Sequence, residues 1–318
     1  MARADLLLDL VEAERRGDRT RFRGIVEAVI AEERANQHHL LADRLSELIV
    51  STGQSAIRDD HAAAMRDLLH EVVPDRRLVD LELAKVPQRV VTELIEEHQR
   101  ADLLRSYGIE PRHRLLLSGP PGNGKTSVAE AIAAELMLPF YVIRYEGVVS
   151  SFLGETAARI DSAFEFARTR RCVLFFDELD TIAKERSDQH ETGEIKRVVS
   201  TLLLQIDRLP SHVIFVGATN HEELLDRAAW RRFQIHAKLE TPNRAQAARF
   251  LEKLASRFGG DLGFAPRTLA EKLVGASFAE LEEFAMDVRR RAVLELPDAN
   301  LRRIARERLE NRHSRETS

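Results

Sequence analysis

The feature that most constrains this chain is the eight-residue run Gly119-Pro120-Pro121-Gly122-Asn123-Gly124-Lys125-Thr126. Three closely spaced glycines let the backbone turn tightly enough for successive N–H groups to face one anionic centre. A lysine follows where a helix can begin, and a threonine hydroxyl comes next. A glycine, four residues, then Gly-Lys-Ser/Thr is the spacing of a phosphate-binding P-loop. The flanks fit. Leu115-Leu116-Leu117 reads as a buried parallel strand. Val128, Ile132 and Leu136 recur every four residues, as one face of a helix whose N-terminal dipole also favours phosphate. Lys125 is then placed to meet the β- and γ-phosphates, and Thr126 to ligate Mg²⁺.

The pattern on both sides of the loop sets the fold class. Strands are expected at residues 114–118, 140–145, 172–177, 213–219 and 235–239, with helices between them, for example over 156–168 and 196–207. Such alternation predicts an α/β fold with a parallel five-stranded sheet and helices on both faces. After Pro242 the strand signal stops. Phe250, Leu251 and Leu254, then Phe278, Leu281, Phe284, Ala285 and Val288, are spaced for helices, which predicts a small all-helical lid domain and a charged tail, helical or frayed, from Leu301. Upstream, helices are expected over about 60–73 and 86–104, with a turn at Gly108-Ile109-Glu110-Pro111. The first fifty residues read as a helical hairpin with apolar stripes such as Leu6, Leu7, Leu10, Val11 and Phe22, Val26, Val29, Ile30. Ser51-Thr52-Gly53-Gln54-Ser55 is the best linker. The expected divisions are an N-terminal helical docking region (1–55), an α/β nucleotide-binding domain (56–242) and the helical lid with its tail (243–318).

Bulk properties exclude several classes. A chain of 318 residues with 44% hydrophobic and 31% charged residues can bury a sizeable core. A formal net charge of −4 gives no global drive toward nucleic acid or an anionic membrane. The single cysteine, Cys172, leaves no internal disulfide and no cysteine zinc site, and its apolar context makes it a buried structural thiol. His38-His39 point in different directions on a helix and are read as ordinary polar residues. Asp9 and Glu12 interrupt the apolar N-terminal run, which makes it a poor signal peptide, and no stretch approaches a membrane span. A cytoplasmic location is expected.

Two further strand ends carry chemistry. Val173-Leu174-Phe175-Phe176-Asp177-Glu178 is an apolar strand with two carboxylates at its carboxyl end, the edge where open α/β sheets bind ligands. Asp177 is placed to hold Mg²⁺ directly or through water, and Glu178 to orient and activate an attacking water. Asp180 follows, either structural or at a subunit contact. Val213 to Thr219 is a second apolar strand, and Asn220 at its end can bridge a γ-phosphate and the water.

On these residues the chain resembles the AAA+ ATPases, specifically the AAA clade that contains katanin, spastin and the membrane AAA proteases, as a single bacterial-type module. The resemblance runs from about Val86 to Leu296. Residues 119–126, with Ser127, match the Walker A motif, Asp177-Glu178 match Walker B, and Asn220 matches sensor 1. Gly275-Ala276-Ser277-Phe278-Ala279-Glu280-Leu281 resembles the lid motif, whose small residues, Gly275 and Ala276 among them, would pack beside adenine. The resemblance implies ATP and Mg²⁺, a homo-oligomeric ring, commonly a hexamer, and a neighbour's arginine completing each site. Arg231 and Arg232 both match that arginine. They stand adjacent, without the usual proline-glycine, so either could serve. Asp207-Arg208-Leu209-Pro210 replaces the usual aspartate-glycine-phenylalanine. Phe152-Leu153-Gly154 matches the first pore loop, an aromatic-hydrophobic-glycine grip on extended polypeptide. Residues 187–194 are either a second pore loop or a plain solvated loop.

The function expected is therefore an ATP-driven protein remodeller or unfoldase that threads polypeptide through a pore, with a substrate, an adaptor or a separate protease docking on the N-terminal helices. The alternatives are a nucleic-acid loader or helicase, or an ATP-dependent assembly switch. A nucleic-acid machine should show a basic pore or an appended module. The arginines at 289–291 and 302–308 interleave with acidic residues and read as a solvated face. His221-Glu222-Glu223 lacks the second histidine of a zinc-protease motif.

Overall fold

The inner strands form here where apolar residues run together and can be covered on both faces. The computed structural model describes residues 69–143, 153–180, 193–225 and 227–316, with residues 25, 26, 28–30 and 44 nearer the N-terminus. The chain divides into two compact units, Met1–Ala64 and Met65–Ser318. In the first, residues 25, 26 and 28–30 are helical, and Val26 and Ile30, four residues apart, are buried. The other residues of the expected hairpin stripes, His38-His39 and the linker at 51–55 lie outside the described residues.

The second unit carries β1 (Leu69–Val72), α1 (Lys85–Gln99), α2 (Ala101–Ser106), β2 (Arg114–Ser118), α3 (Lys125–Leu136), β3 (Phe140–Ile143), α4 (Leu153–Arg168), β4 (Cys172–Phe176), α5 (Gly193–Asp207), β5 (Val213–Thr219), α6 (Arg227–Trp230) and β6 (Ile235–Lys238). Four helices follow: α7 (Arg244–Arg257), α8 (Pro266–Lys272), α9 (Phe278–Leu294) and α10 (Leu301–Glu316).

The strand order is β1-β3-β4-β5-β2-β6, parallel throughout except for β1. Alternate residues of β2 to β5 enter different cores. Cys172, Leu174 and Phe176 pack with α4 and α5, through Phe164, Leu202 and Ile206. Val173 and Phe175 pack on the other face with α1 and α3, through Leu94, Val128 and Ile132. Burying each of these large side chains contributes about 2–3 kcal/mol.

The sheet has six strands rather than the five expected. Residues 69–72 fall in a segment expected to be helical, and they are strand. Leu69 is buried, His70 and Glu71 are exposed, and β1 pairs antiparallel with β3, Leu69 opposite Ile143. Helical propensity is a weak prior, and an open sheet edge overrides it.

The bundle of α7 to α10 has a core of its own, including Leu251, Leu281 and Val288. Residues 301–316 form a regular helix whose Ile304, Ala305 and Leu309 join that core, so α10 is not frayed. Ser277 caps α9. Its Oγ accepts from the Glu280 amide at 3.3 Å, and Glu280 Oε2 accepts from the Ser277 amide at 2.7 Å, a capping box.

Candidate functional site

The strand order brings the carboxyl ends of β2, β5 and β4 side by side, so residues 119–126, 220 and 177–180 share one sheet edge. The P-loop follows β2 directly. Gly119 has φ 139°, and a Cβ there would stand 2.0 Å from the Leu239 carbonyl oxygen. Gly122 has φ 75°, and a Cβ there would stand 2.7 Å from Ser277 Oγ. The loop thus runs between β6 and the capped start of α9 with no room for side chains at these points. Gly124, also left-handed, caps α3, so Lys125 and Thr126 open that helix.

Lys125 is buried. Its Nζ donates to Gly119 O at 2.7 Å, Pro120 O at 3.1 Å and Asn220 Oδ1 at 2.7 Å. Burial pulls its pKa below the usual lysine range, against the opposing pull of Asp177 and Asp180. Burial likewise raises the carboxyl of Asp177, against the Glu178 N–H that donates to its Oδ1 at 2.9 Å. Glu178 is exposed and has φ 54°, a left-handed conformation that side chains rarely adopt. Asp180 is buried beneath them. Its Oδ1 accepts from Thr219 Oγ1 at 2.9 Å and from the Asn220 amide at 3.2 Å. Of the two roles left open for Asp180, the structural one is in place: it holds Asn220, and Asn220 holds Lys125.

These groups border a cavity of about 380 Å³. Pro121, Gly122, Asn123, Gly124, Lys125, Thr126, Ser127, Asp177, Glu178 and Asn220 all line it. Gly119 and Pro120 support the loop from behind, through the carbonyls that hold Lys125. Gly275 and Ala276 are not among the lining residues. Ala276 is buried in the helical-bundle core, and Phe278, Ala279 and Glu282 reach the cavity instead. The Ala279 amide donates to Gly122 O at 2.9 Å, tying α9 to the loop.

Sequence reasoning missed one wall. Arg76, Leu81, Glu82 and Leu83 line the cavity from the segment between β1 and α1. Polar anchors fix that segment. Asp75 and Arg76 donate their amides to Glu130 Oε1 at 2.8 and 3.1 Å, and Glu82 pairs with Arg249 and Lys253 of α7, each at 2.9 Å. Its Val79-Asp80-Leu81-Glu82-Leu83 run alternates apolar and charged residues, a signal that could have drawn attention to it, and Leu78, Leu81 and Leu83 pack against the core.

Arg231 and Arg232 lie after α6. Arg231 is exposed. Arg232 donates to Asp207 Oδ2 at 2.9 Å and Leu203 O at 3.2 Å, tying it to α5. Phe152 lies outside the described residues, as do residues 187–192. Leu153 and Gly154 begin α4, and Gly193 begins α5.

The donor set fits a magnesium nucleotide. Asn123 is buried with neither Oδ1 nor Nδ2 bonded to the protein, leaving a donor and an acceptor at the loop. The described lining holds two cations, Arg76 and Lys125, against four carboxylates, Glu82, Asp177, Glu178 and Glu282. A divalent cation beside Thr126 and Asp177 suits that balance and would bridge phosphate oxygens and neutralise their charge.

Comparison with known proteins agrees with this architecture. Residues 115–241 match the family described as "ATPase family associated with various cellular activities (AAA)". The AAA family ATPase y4kL of Sinorhizobium fredii is 36% identical over 314 residues, covering 94% of each chain. This chain belongs to the AAA family. A 26S proteasome regulatory subunit homologue of Methanothermobacter marburgensis is 32% identical over 69% of this AAA chain and 59% of its own length. The peroxisomal ATPase pex6 of Schizosaccharomyces pombe is 42% identical over 40% of this chain, which spans only 14% of that protein. The FIGL-1 AAA domain shares the fold, with a TM-score of 0.65 at 19% identity over 80% of this chain and 90% of that one. Among the described residues no helix is long and apolar enough to cross a membrane.

Proposed function

We propose that this AAA chain hydrolyses ATP as a ring, in the simplest case a hexamer, and uses the energy to draw polypeptide through the ring's centre. The observation that carries the hydrolytic part is the convergence of Lys125, Asp177, Glu178 and Asn220 on one cavity. In this reading Lys125 gives up carbonyl bonds to meet the β- and γ-phosphates. Thr126 and Asp177 hold Mg²⁺. Glu178 takes a proton from the attacking water, and Asn220, set by Asp180, fixes the water against the γ-phosphate.

Arg231 is our assignment for the arginine that a neighbouring subunit contributes. Its exposure leaves it able to reach out, whereas Arg232 is held by Asp207 and Leu203. The polypeptide part draws support from the Phe152-Leu153-Gly154 run ahead of α4 and from relatives named for the proteasome and the peroxisome. Residues 1–55 would receive the substrate, an adaptor or a separate protease, in the cytoplasm.

Steady-state ATP turnover with added partners tests the proposal. An unfolded protein should stimulate turnover severalfold, and single-stranded DNA should not. Stimulation by DNA alone would reverse the assignment in favour of a nucleic-acid machine.

A further inference from the structure

The phosphate-binding pattern accounts for Lys125 but not for the cavity's second cation, Arg76. The two are held very differently. Lys125 uses all three ammonium donors on protein acceptors. Arg76 is held loosely: Nη1 donates to Ser127 Oγ at 3.3 Å and Nη2 to Glu282 Oε2 at 3.4 Å, with the side chain 43% exposed. Both contacts are long for hydrogen bonds, and an exposed ion pair of this kind contributes little. The backbone beneath is fixed, because the amides of Asp75 and Arg76 share Glu130 Oε1 on α3. A permanently charged, forked donor therefore stands on an anchored root beside the first turn of the P-loop helix.

We propose that Arg76 is a nucleotide-binding residue whose guanidinium exchanges Glu282 for the α-phosphate while it stays beside Ser127. The inference rests on the nucleotide reading of the P-loop. Loop amides cradle the α- and β-phosphates and the lysine serves the β–γ end, so Ser127, on the helix side of the loop, marks the α-phosphate. A guanidinium–phosphate pair is short, charge-assisted and directional, and it outcompetes a solvated carboxylate contact of 3.4 Å. Glu282 belongs to α9, where Arg257 also pairs with it at 3.7 Å. Nucleotide binding thus removes the Arg76 link to α9 and leaves Glu282 to Arg257 within the bundle. Occupancy of the site is transmitted to the lid through one ion pair.

The test is calorimetric titration of the full chain with magnesium and AMP, ADP or a slowly hydrolysed ATP analogue, with unfolding temperature as the folding control. Arg76→Ala should weaken all three ligands by a similar factor, roughly ten- to hundredfold, the range of one charge-assisted bond. Arg76→Lys should recover part of the loss. Glu282→Gln removes the competing carboxylate and should tighten all three severalfold, which a merely structural ion pair would not do. Wild-type ADP affinity in Arg76→Ala would overturn the proposal, as would a loss confined to the ATP analogue or weaker binding in Glu282→Gln. The underlying reading fails separately: if the wild type bound no nucleotide, or Lys125→Ala bound it undiminished, the P-loop assignment itself would be wrong.

Discussion

Asp180 is buried below the site, and one carboxylate oxygen accepts hydrogen bonds from the Thr219 hydroxyl and the Asn220 amide. Removing it leaves the buried Thr219 hydroxyl unmet, at about 1–3 kcal/mol, and the half-buried Asn220 amide without its partner. Asp180→Ala should therefore lower the unfolding temperature and reduce kcat more than it raises the KM for ATP, because Asn220 loses its support while the Gly119 and Pro120 carbonyls still hold Lys125. A KM effect alone would contradict this. The neighbouring Glu178 sits in the left-handed region, a conformation that costs on the order of 1–2 kcal/mol and collects at functional sites. Glu178→Gln should retain ATP binding and turn over ATP roughly 10²–10⁴-fold more slowly, as expected for loss of a general base. Single-turnover hydrolysis measures it, and a wild-type rate would assign the base elsewhere. The positions of Asp177 and Glu178 at the cavity were legible because an apolar strand that runs parallel to the P-loop strand ends at the same sheet edge. The role of Asp180 was not, because its partner Thr219 lies 39 positions away.

Among the elements, the junction of α1 and β2 carries a buried titratable group. His98 Nε2–H donates to Arg112 O at 2.8 Å, and Arg112 pairs with Glu97 beside it. Burial pushes the His98 pKa down from 6.5 to about 4; the Arg112 carbonyl and Glu97 oppose this, and His113 and Arg171 assist it. The unfolded chain takes up a proton near pH 6.5 that the folded chain refuses until about pH 4. Stability is thus full above pH 6.5 and lost as pH falls toward 4, by up to about 3 kcal/mol from this group. Denaturant titrations at pH 7 and pH 4.5 should show the loss, and His98→Gln should flatten it. β2 to β5 were readable because runs of apolar residues face both cores, and β6 because Ile235 and Ala237 alternate with polar residues. β1 was not, since its four residues do not alternate and take their shape from the edge they join. Nor was the segment carrying Arg76 and Glu82, because much of what holds it is polar links to α3, α7 and α9 from distant positions, added to the packing of Leu78, Leu81 and Leu83.

At the scale of the whole molecule, the readings that concern assembly and cargo are proposals with their own tests. Arg231→Ala should leave ATP binding intact and cut turnover by about 10³-fold or more, the usual worth of an arginine finger. The loss should appear in mixed rings even when the defective arginine and the intact loop belong to different subunits; an additive, subunit-by-subunit loss would argue against a shared site. Phe152→Ala should keep basal ATP turnover and lose processing of an unfolded protein, followed by the decay of a fluorescent substrate. Intact processing would refute the pore-loop assignment. The sequence carried these readings only by resemblance, because they depend on surfaces that meet other chains.

The hydrogen bond from Ala279 to Gly122 joins the first turn of α9 to the middle of the P-loop. The nearby ion pair of Arg76 with Glu282 is exposed, and water can replace it. One firm point beside a yielding one is a pivot. The 17 residues of α9 extend about 26 Å from it, so a 5° turn at the loop moves the far end by roughly 2 Å. A loop that must be glycine at Gly122 for lack of room is bonded to α9 at that same residue, so the two are positioned together. The lever arm is set by helix length, so shortening α9 would reduce the stroke without altering the nucleotide site.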